Sequence, residues 1–208
     1  MYIDDRIIIS KDKSVIDSFI YSLQHGQENY NLTDKGEVDM YIGINTVRSN
    51  TNTNIELRQS FLIQRCLKVM EIDSSMNINN TPSTKSLLHK NTVGDPRKPT
   101  WYYIQVTCIL NYLTGPTRPD LQFSTHQFAR FSEDSKILHE ITVRQTSKYF
   151  IEKKYRNIIF KSDKTKGLEY YVDVDFAGGW QNTDKDNPQN ILSRTSYTIF
   201  YAGCPVIW

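Results

Sequence analysis

The chain has 208 residues, a net charge of +2, 38% hydrophobic residues and 12% aromatics. That length admits one large domain or two small ones, and the composition excludes a disordered chain. A near-neutral balance excludes no nucleic-acid partner, because local patches outweigh the sum.

Residues 2–9 are predicted as a short strand interrupted by Asp4 and Asp5 in "MYIDDRIII". In "SVIDSFIYSLQH" (14–25), Val15, Ile16, Phe19, Ile20 and Leu23 recur at helical spacing, with Ser14 as the expected N-cap. "NLTDKGEVDMYIGINTVR" (31–48) predicts a turn and a strand, and "TNTNIELRQ" (51–59) a return strand that completes a hairpin. "SFLIQRCLKVM" (60–70) predicts an amphipathic helix capped by Ser60. Residues 71–99 are rich in Asn, Ser, Thr, Pro and charge, so a long surface linker is expected.

Three helical segments follow: 101–114, then 118–132 with Pro119 at the helix start, then 136–154. The tail changes period. "NIIFKS", "LEYYVDVDFAGGW" and "SYTIFYAGCPVIW" each predict a strand, with a polar turn at 181–190. The chain closes on an apolar strand without a capping element, so a truncated second sheet is expected, and an open sheet edge invites association.

Cys66, Cys108 and Cys204 are widely spaced, which predicts buried free thiols of an intracellular (cytoplasmic or nuclear) protein. His25, His89, His126 and His139 are too scattered for a zinc site. No apolar run approaches the roughly 20 residues of a membrane span, and no signal peptide is evident.

The adjacent acids carry the functional question. At a hairpin tip, Asp4 and Asp5 would project into an open face, and two such like charges repel. Mg²⁺ offsets that cost, since it takes carboxylate oxygens together with substrate phosphates. Two ions about 4 Å apart can activate a 3′-hydroxyl and stabilise a leaving pyrophosphate. The competing reading is an exposed turn.

Several strings in order decide between them. "YIDD" resembles the active-site box of reverse transcriptases. "LTDKGEVDMYIGI", "IELRQSFLIQRCLKVM", "NTPS", "WYYIQVTCILNYLTGPTRPDLQFSTHQFARF", "LEYYVDVDFAGGW" and "LSRTSYTIFYAGCPVIW" follow in the order of the copia-type retrotransposon Pol polyprotein. The resemblance covers nearly the whole chain. It implies an α+β fold: a partial reverse-transcriptase palm with thumb and connection helices, then the opening strands of a ribonuclease H-like domain. The expected division is a partial palm, primer-grip hairpin and first thumb helix (1–70), a linker (71–99), thumb and connection helices (100–156) and the first part of ribonuclease H (157–208).

By the same resemblance, Asp4 and Asp5 are catalytic Mg²⁺ ligands of the palm, and Tyr2 and Ile3 line the site near the primer end. Asp173 matches the first catalytic and metal-binding aspartate of ribonuclease H, and Asp175 belongs to the same D-x-D pattern as a further metal ligand. Arg118 either contacts template–primer phosphate or takes a structural role, pairing with Asp120 or capping a helix, the structural reading weighing more. Lys153 and Lys154, in "EKKYR", are nucleic-acid contacts or a solvated helix end. The implied partners are an RNA template and DNA primer (an RNA–DNA hybrid), deoxynucleotides in the intact parent, and the missing parts of the parent polyprotein, with no membrane.

The third palm carboxylate, the fingers and the remaining ribonuclease H acids are expected outside this chain. The fragment is therefore expected to be inactive alone in RNA-directed DNA polymerisation. Ile104 and Cys108 replace the family's Arg and Gly, Ser196 replaces a Gly, and Val174 stands in the usual D-A-D. These departures fit a decayed copy. The alternative is a non-catalytic remnant that only binds hybrid.

Overall fold

The computed structural model describes residues 6–27, 29–51, 53–84, 87–90, 94–97, 100–178, 180 and 193–208. The chain divides into two units, 1–41 and 42–208. In the first, α1 (Lys13–His25) is followed by the two-residue strand β1 (Met40–Tyr41). The α1 cap is Asp12, whose carboxylate accepts the Ser14 N–H at 2.9 Å, so the cap lies two residues before the expected Ser14. Residues 6–9 form no strand, and the rest of the predicted 2–9 strand lies outside the described residues.

The second unit opens with the expected hairpin. Strand β2 (Ile44–Arg48) runs antiparallel to β3 (Asn54–Arg58), pairing Asn45 with Arg58 and Arg48 with Ile55. Helix α2 (Ser60–Val69) begins at Gln59 with no side-chain cap, so Ser60 does not play its expected role. Buried Gln59 instead accepts the Thr117 hydroxyl at 2.7 Å.

Helices α3 (Tyr103–Thr114), α4 (Gln122–Ala129) and α5 (Ile137–Lys153) follow, with Pro119–Leu121 forming one 3₁₀ turn before α4. Proline at that position gives up an N–H that would have no partner anyway. The core lies among these helices. Ile63 and Met70 of and after α2 meet Leu110 and Leu113 of α3, Phe128 of α4 and Phe150 of α5, all essentially inaccessible. Each such side chain stabilises the fold by about 1.5–3 kcal/mol relative to exposure.

The described parts of 71–99 are not a free linker. They run as a strap along α5 and are tied down at intervals. The Thr146 hydroxyl donates to Pro82 O at 2.6 Å, and Gln145 Nε2 to Ser83 O at 3.1 Å. Arg130 Nη2 donates to Leu88 O at 2.9 Å, and Arg97 Nε to Glu140 at 3.1 Å. Ile72 and Leu88 enter the core. Carbonyls of an irregular segment need such partners once water is excluded.

Strand β4 (Ile158–Lys161) extends the hairpin, pairing antiparallel with β3 from Asn54↔Lys161 to Leu57↔Ile158. The expected start of a separate domain at 157 thus falls at the edge of this first sheet. A second antiparallel sheet has the order β5 (Leu168–Asp175), β6 (Arg194–Tyr201), β7 (Cys204–Ile207). The single expected strand at 196–208 is a hairpin. Ala202 and Gly203 turn it with φ of 51° and 74°, the left-handed pair that a two-residue turn demands. Trp208 Nε1 donates to Thr114 O at 2.8 Å, tying β7 to the end of α3.

Candidate nucleic-acid interface

Strand β5 carries the described acids of interest. Asp173 and Asp175 are two residues apart and so share one sheet face, and both are exposed. The β6 residues opposite them are Ser196 and Arg194, whose side chains project to the same face. Ser196 thus stands beside Asp173, on an exposed strand position where a side chain fits.

The chain after β5 folds back over Asp175. A Cβ on Gly178 would lie 1.9 Å from an Asp175 carboxylate oxygen, so only glycine permits this approach. Ala177 takes a φ of 51°, and the Trp180 N–H closes the turn on Ala177 O at 2.8 Å. The string "DVDFAGG" is legible in these terms: strand, acid, turn, and a glycine to clear the acid.

Carboxylate oxygens suit a hard cation such as Mg²⁺, so Asp173 and Asp175 fit as part of a ligand set. Among the described residues, no three His, Cys, Asp or Glu side chains converge on one point. Tyr2, Ile3, Asp4 and Asp5 lie outside the described residues.

Arg118 is placed away from any groove. Its side chain is 1% exposed. Nε and Nη2 donate to the two Asp120 oxygens at 2.9 and 2.8 Å, and Nη1 donates to Lys153 O at 3.0 Å. Tyr149 donates to Asp120 at 2.9 Å, and Arg156 donates to the Tyr149 hydroxyl at 2.8 Å. Burial alone would raise the Asp120 carboxyl. The Arg118 bonds and charge, with smaller help from Tyr149 and Arg156, hold it below the usual carboxylate range. Arg118 therefore takes the Asp120 pairing among the arrangements expected, and a guanidinium so enclosed reaches no external phosphate.

Lys153 and Lys154 end α5 at half-buried positions. Lys153 pairs with Glu152 at 3.4 Å, and the Lys154 ammonium lies 4.8 Å from the Tyr155 ring centre.

Of the thiols, Cys66 and Cys204 are buried and Cys108 is exposed, which corrects the expectation that all three are enclosed. Burial pushes the Cys66 thiol up to about 12, so it stays protonated and inert. Ile104 and Cys108 are exposed on α3, so neither replacement crowds a helix contact.

Two guanidinium groups and an imidazole close to the acidic strand were not legible in the sequence: His126 on α4, Arg130 at its C-cap, and Arg194 on β6. "HQFARF" and "LSRTS" contained them, but nothing in either string says that a helix and a strand distant in sequence bring them together.

Acids on one strand face with cations beside them are the outline of a surface for phosphate-rich ligands. In comparison with known proteins, the chain is similar to proteins of retrotransposons, at low identity. It is 22% identical over 208 residues to a transposon Ty5-1 protein of Saccharomyces cerevisiae, covering 100% of this chain and 63% of that protein. It is 25% identical over 215 residues to the retrovirus-related Pol polyprotein from transposon TNT 1-94 of Nicotiana tabacum, covering 100% of this chain and 15% of that polyprotein. The chain thus spans less than two thirds of either relative. No protein-family model matches it, and no solved structure does. No helix among the described residues is long and apolar enough to cross a membrane.

Proposed function

We propose that the chain is the part of a copia-type retrotransposon Pol polyprotein that runs from the reverse-transcriptase palm, through thumb and connection, into ribonuclease H. In the intact parent it would serve RNA-directed DNA polymerisation on an RNA template and DNA primer, followed by cleavage of the RNA strand of the hybrid. The observation that carries this reading is the end-to-end similarity to two transposon proteins. The ordered strings YIDD, YIGI, TRPD and DVDFAGG support it.

Asp4 and Asp5 are assigned to the polymerase centre, Asp173 and Asp175 to the nuclease centre, each as Mg²⁺ ligands. A bound Mg²⁺ would neutralise phosphate charge and lower the pKa of a bound water. The chain's own contribution at the nuclease centre is to hold two carboxylates on one face of one strand, with Gly178 leaving room for the Asp175 carboxylate. The deoxynucleotide site belongs to the rest of the parent polyprotein.

Primer extension with Mg²⁺ on an RNA template tests the division of labour. The purified chain is expected to incorporate nothing by itself; robust incorporation would overturn the assignment of the fingers and third carboxylate to other parts. Asp4→Asn with Asp5→Asn separates the two readings of the palm. If these acids hold catalytic metal, the double change abolishes metal-dependent extension in the intact parent. If the chain only binds hybrid, affinity is unchanged or rises.

A further inference from the structure

We propose that Arg130 and Arg194, flanked by Phe123 and His126, form a phosphodiester-binding site on the rim of the Asp173–Asp175 face. This rests on the hybrid-binding reading above and adds to it the residues that grip the backbone.

The site lies where the Arg194 side chain of β6 reaches α4. Arg194 stands directly opposite Asp175 in the ladder. Its guanidinium lies 5.9 Å from the Phe123 ring centre, which places these two side chains beside one another. Phe123 and His126 on α4 and Arg130 at its C-cap stand at positions i, i+3 and i+7, one stripe of the helix and its end, and all three are exposed. An exposed aromatic among cations is the composition of a nucleic-acid surface.

The two guanidinium groups and the His126 ring feel one another. Burial lowers the His126 pKa, and the charges of Arg130 and Arg194 lower it further. Burial, then the Arg194 charge, likewise lowers the Arg130 pKa. Among the described residues, no carboxylate forms an ion pair with any of the three. Arg130 is anchored instead by donating to Leu88 O at 2.9 Å and to Gln127 at 3.3 Å. Arg130 and Arg194 repel one another in the unbound protein, and a polyanion relieves that cost. Guanidinium forks suit phosphate oxygens geometrically. A strand held here would pass beside Asp173 and Asp175, where its phosphodiester is to be cut.

The test is fluorescence anisotropy of a labelled RNA–DNA hybrid titrated with the full chain at several salt concentrations, with duplex DNA of the same length as the second arm. Arg130→Gln with Arg194→Gln is expected to weaken hybrid binding roughly tenfold or more at about 0.1 M salt and to flatten the log–log salt slope by about 2. Arg194→Gln alone leaves the Leu88 anchor intact and is expected to remove about half of that slope. Arg130→Lys with Arg194→Lys keeps both charges and the slope. Thermal melting of each variant reports folding. Wild-type chain that binds no hybrid overturns the retrotransposon reading and this site with it. Wild-type binding whose slope is the same in R194Q and in the folded double variant overturns this site alone. A wild-type chain that binds duplex DNA with the larger slope overturns the hybrid as the ligand.

Discussion

Arg118 illustrates how a residue chosen for its charge can be committed elsewhere. A buried guanidinium with three of its donors satisfied and two aromatic rings beside it is a structural pin: Asp120, Tyr149 and Arg156 are organised around it. Removing it leaves Asp120 without its main counter-charge and opens a void. Arg118→Ala is expected to lose about 3–5 kcal/mol in urea unfolding. Arg118→Lys recovers only part of that, since an ammonium cannot make the bidentate contact. The lowered Asp120 carboxyl contributes stability that is present above its unfolded pKa of about 4 and is lost as pH falls through its lower folded value. Gly178 is the second residue with a sharp consequence. Gly178→Ala is expected to push the Asp175 carboxylate off its position and weaken Mg²⁺ binding several-fold while leaving the melting temperature nearly unchanged, read by following the Asp175 signal in an NMR titration.

At the scale of elements, α5 explains why the strap was not legible. Its inaccessible stripe is His139, Thr142, Val143, Thr146, Ser147, Tyr149 and Phe150, at helical spacing but half of it polar. Ile137, Leu138 and Ile141 are exposed on the other side. A hydrophobicity pattern therefore points the helix the wrong way, because the polar stripe faces a strap whose carbonyls need donors. The helix spans themselves were legible, since their lengths and apolar spacing are ordinary. Helix caps were not: Asp12 competes with Ser14, and Gln59 turns inward.

His139 joins strap to helix. Nδ1 accepts the Lys136 N–H at 3.0 Å, so Nε2 carries the proton given to His89 O at 3.1 Å. That arrangement requires a neutral ring. Burial lowers the His139 pKa, against smaller opposing effects from the His89 carbonyl and Asp134. Stability is thus fully present above the unfolded value of about 6.5 and falls as pH drops below it toward the lower folded pKa. The midpoint of urea unfolding is expected to decline between about pH 6.5 and 5 in the wild type, and less steeply in His139→Gln.

Across the second unit, the two sheets are built differently. The first, β2–β3–β4, has one buried apolar side chain in Ile158, whereas β5 contributes no buried residue. The face of β5 opposite the acids presents Leu168, Tyr170, Val172 and Val174, all exposed. Apolar area of that kind promotes association. The purified chain is expected to self-associate with rising concentration in sedimentation velocity, and Val172→Lys with Val174→Lys to shift it toward monomer. Alternation along "LEYYVDVD" was visible in the sequence as a strand, and so was the pairing of acids on one face. What lay across from them was not, because cross-strand register depends on a partner about twenty residues away. The Ala202–Gly203 hairpin was hidden for a local reason: alanine rarely takes a positive φ, so "YAGC" did not announce a turn.

The central claim is that the Asp173–Asp175 face, with its basic rim, is where the chain meets nucleic acid. Its most direct test is chemical-shift mapping of the isotope-labelled chain titrated with an RNA–DNA hybrid in the presence of Mg²⁺. The account predicts perturbations concentrated at Asp173, Asp175, Arg194, Arg130 and Phe123, weakening as salt rises. Perturbations confined to α1, or none at all at saturating hybrid, would contradict it.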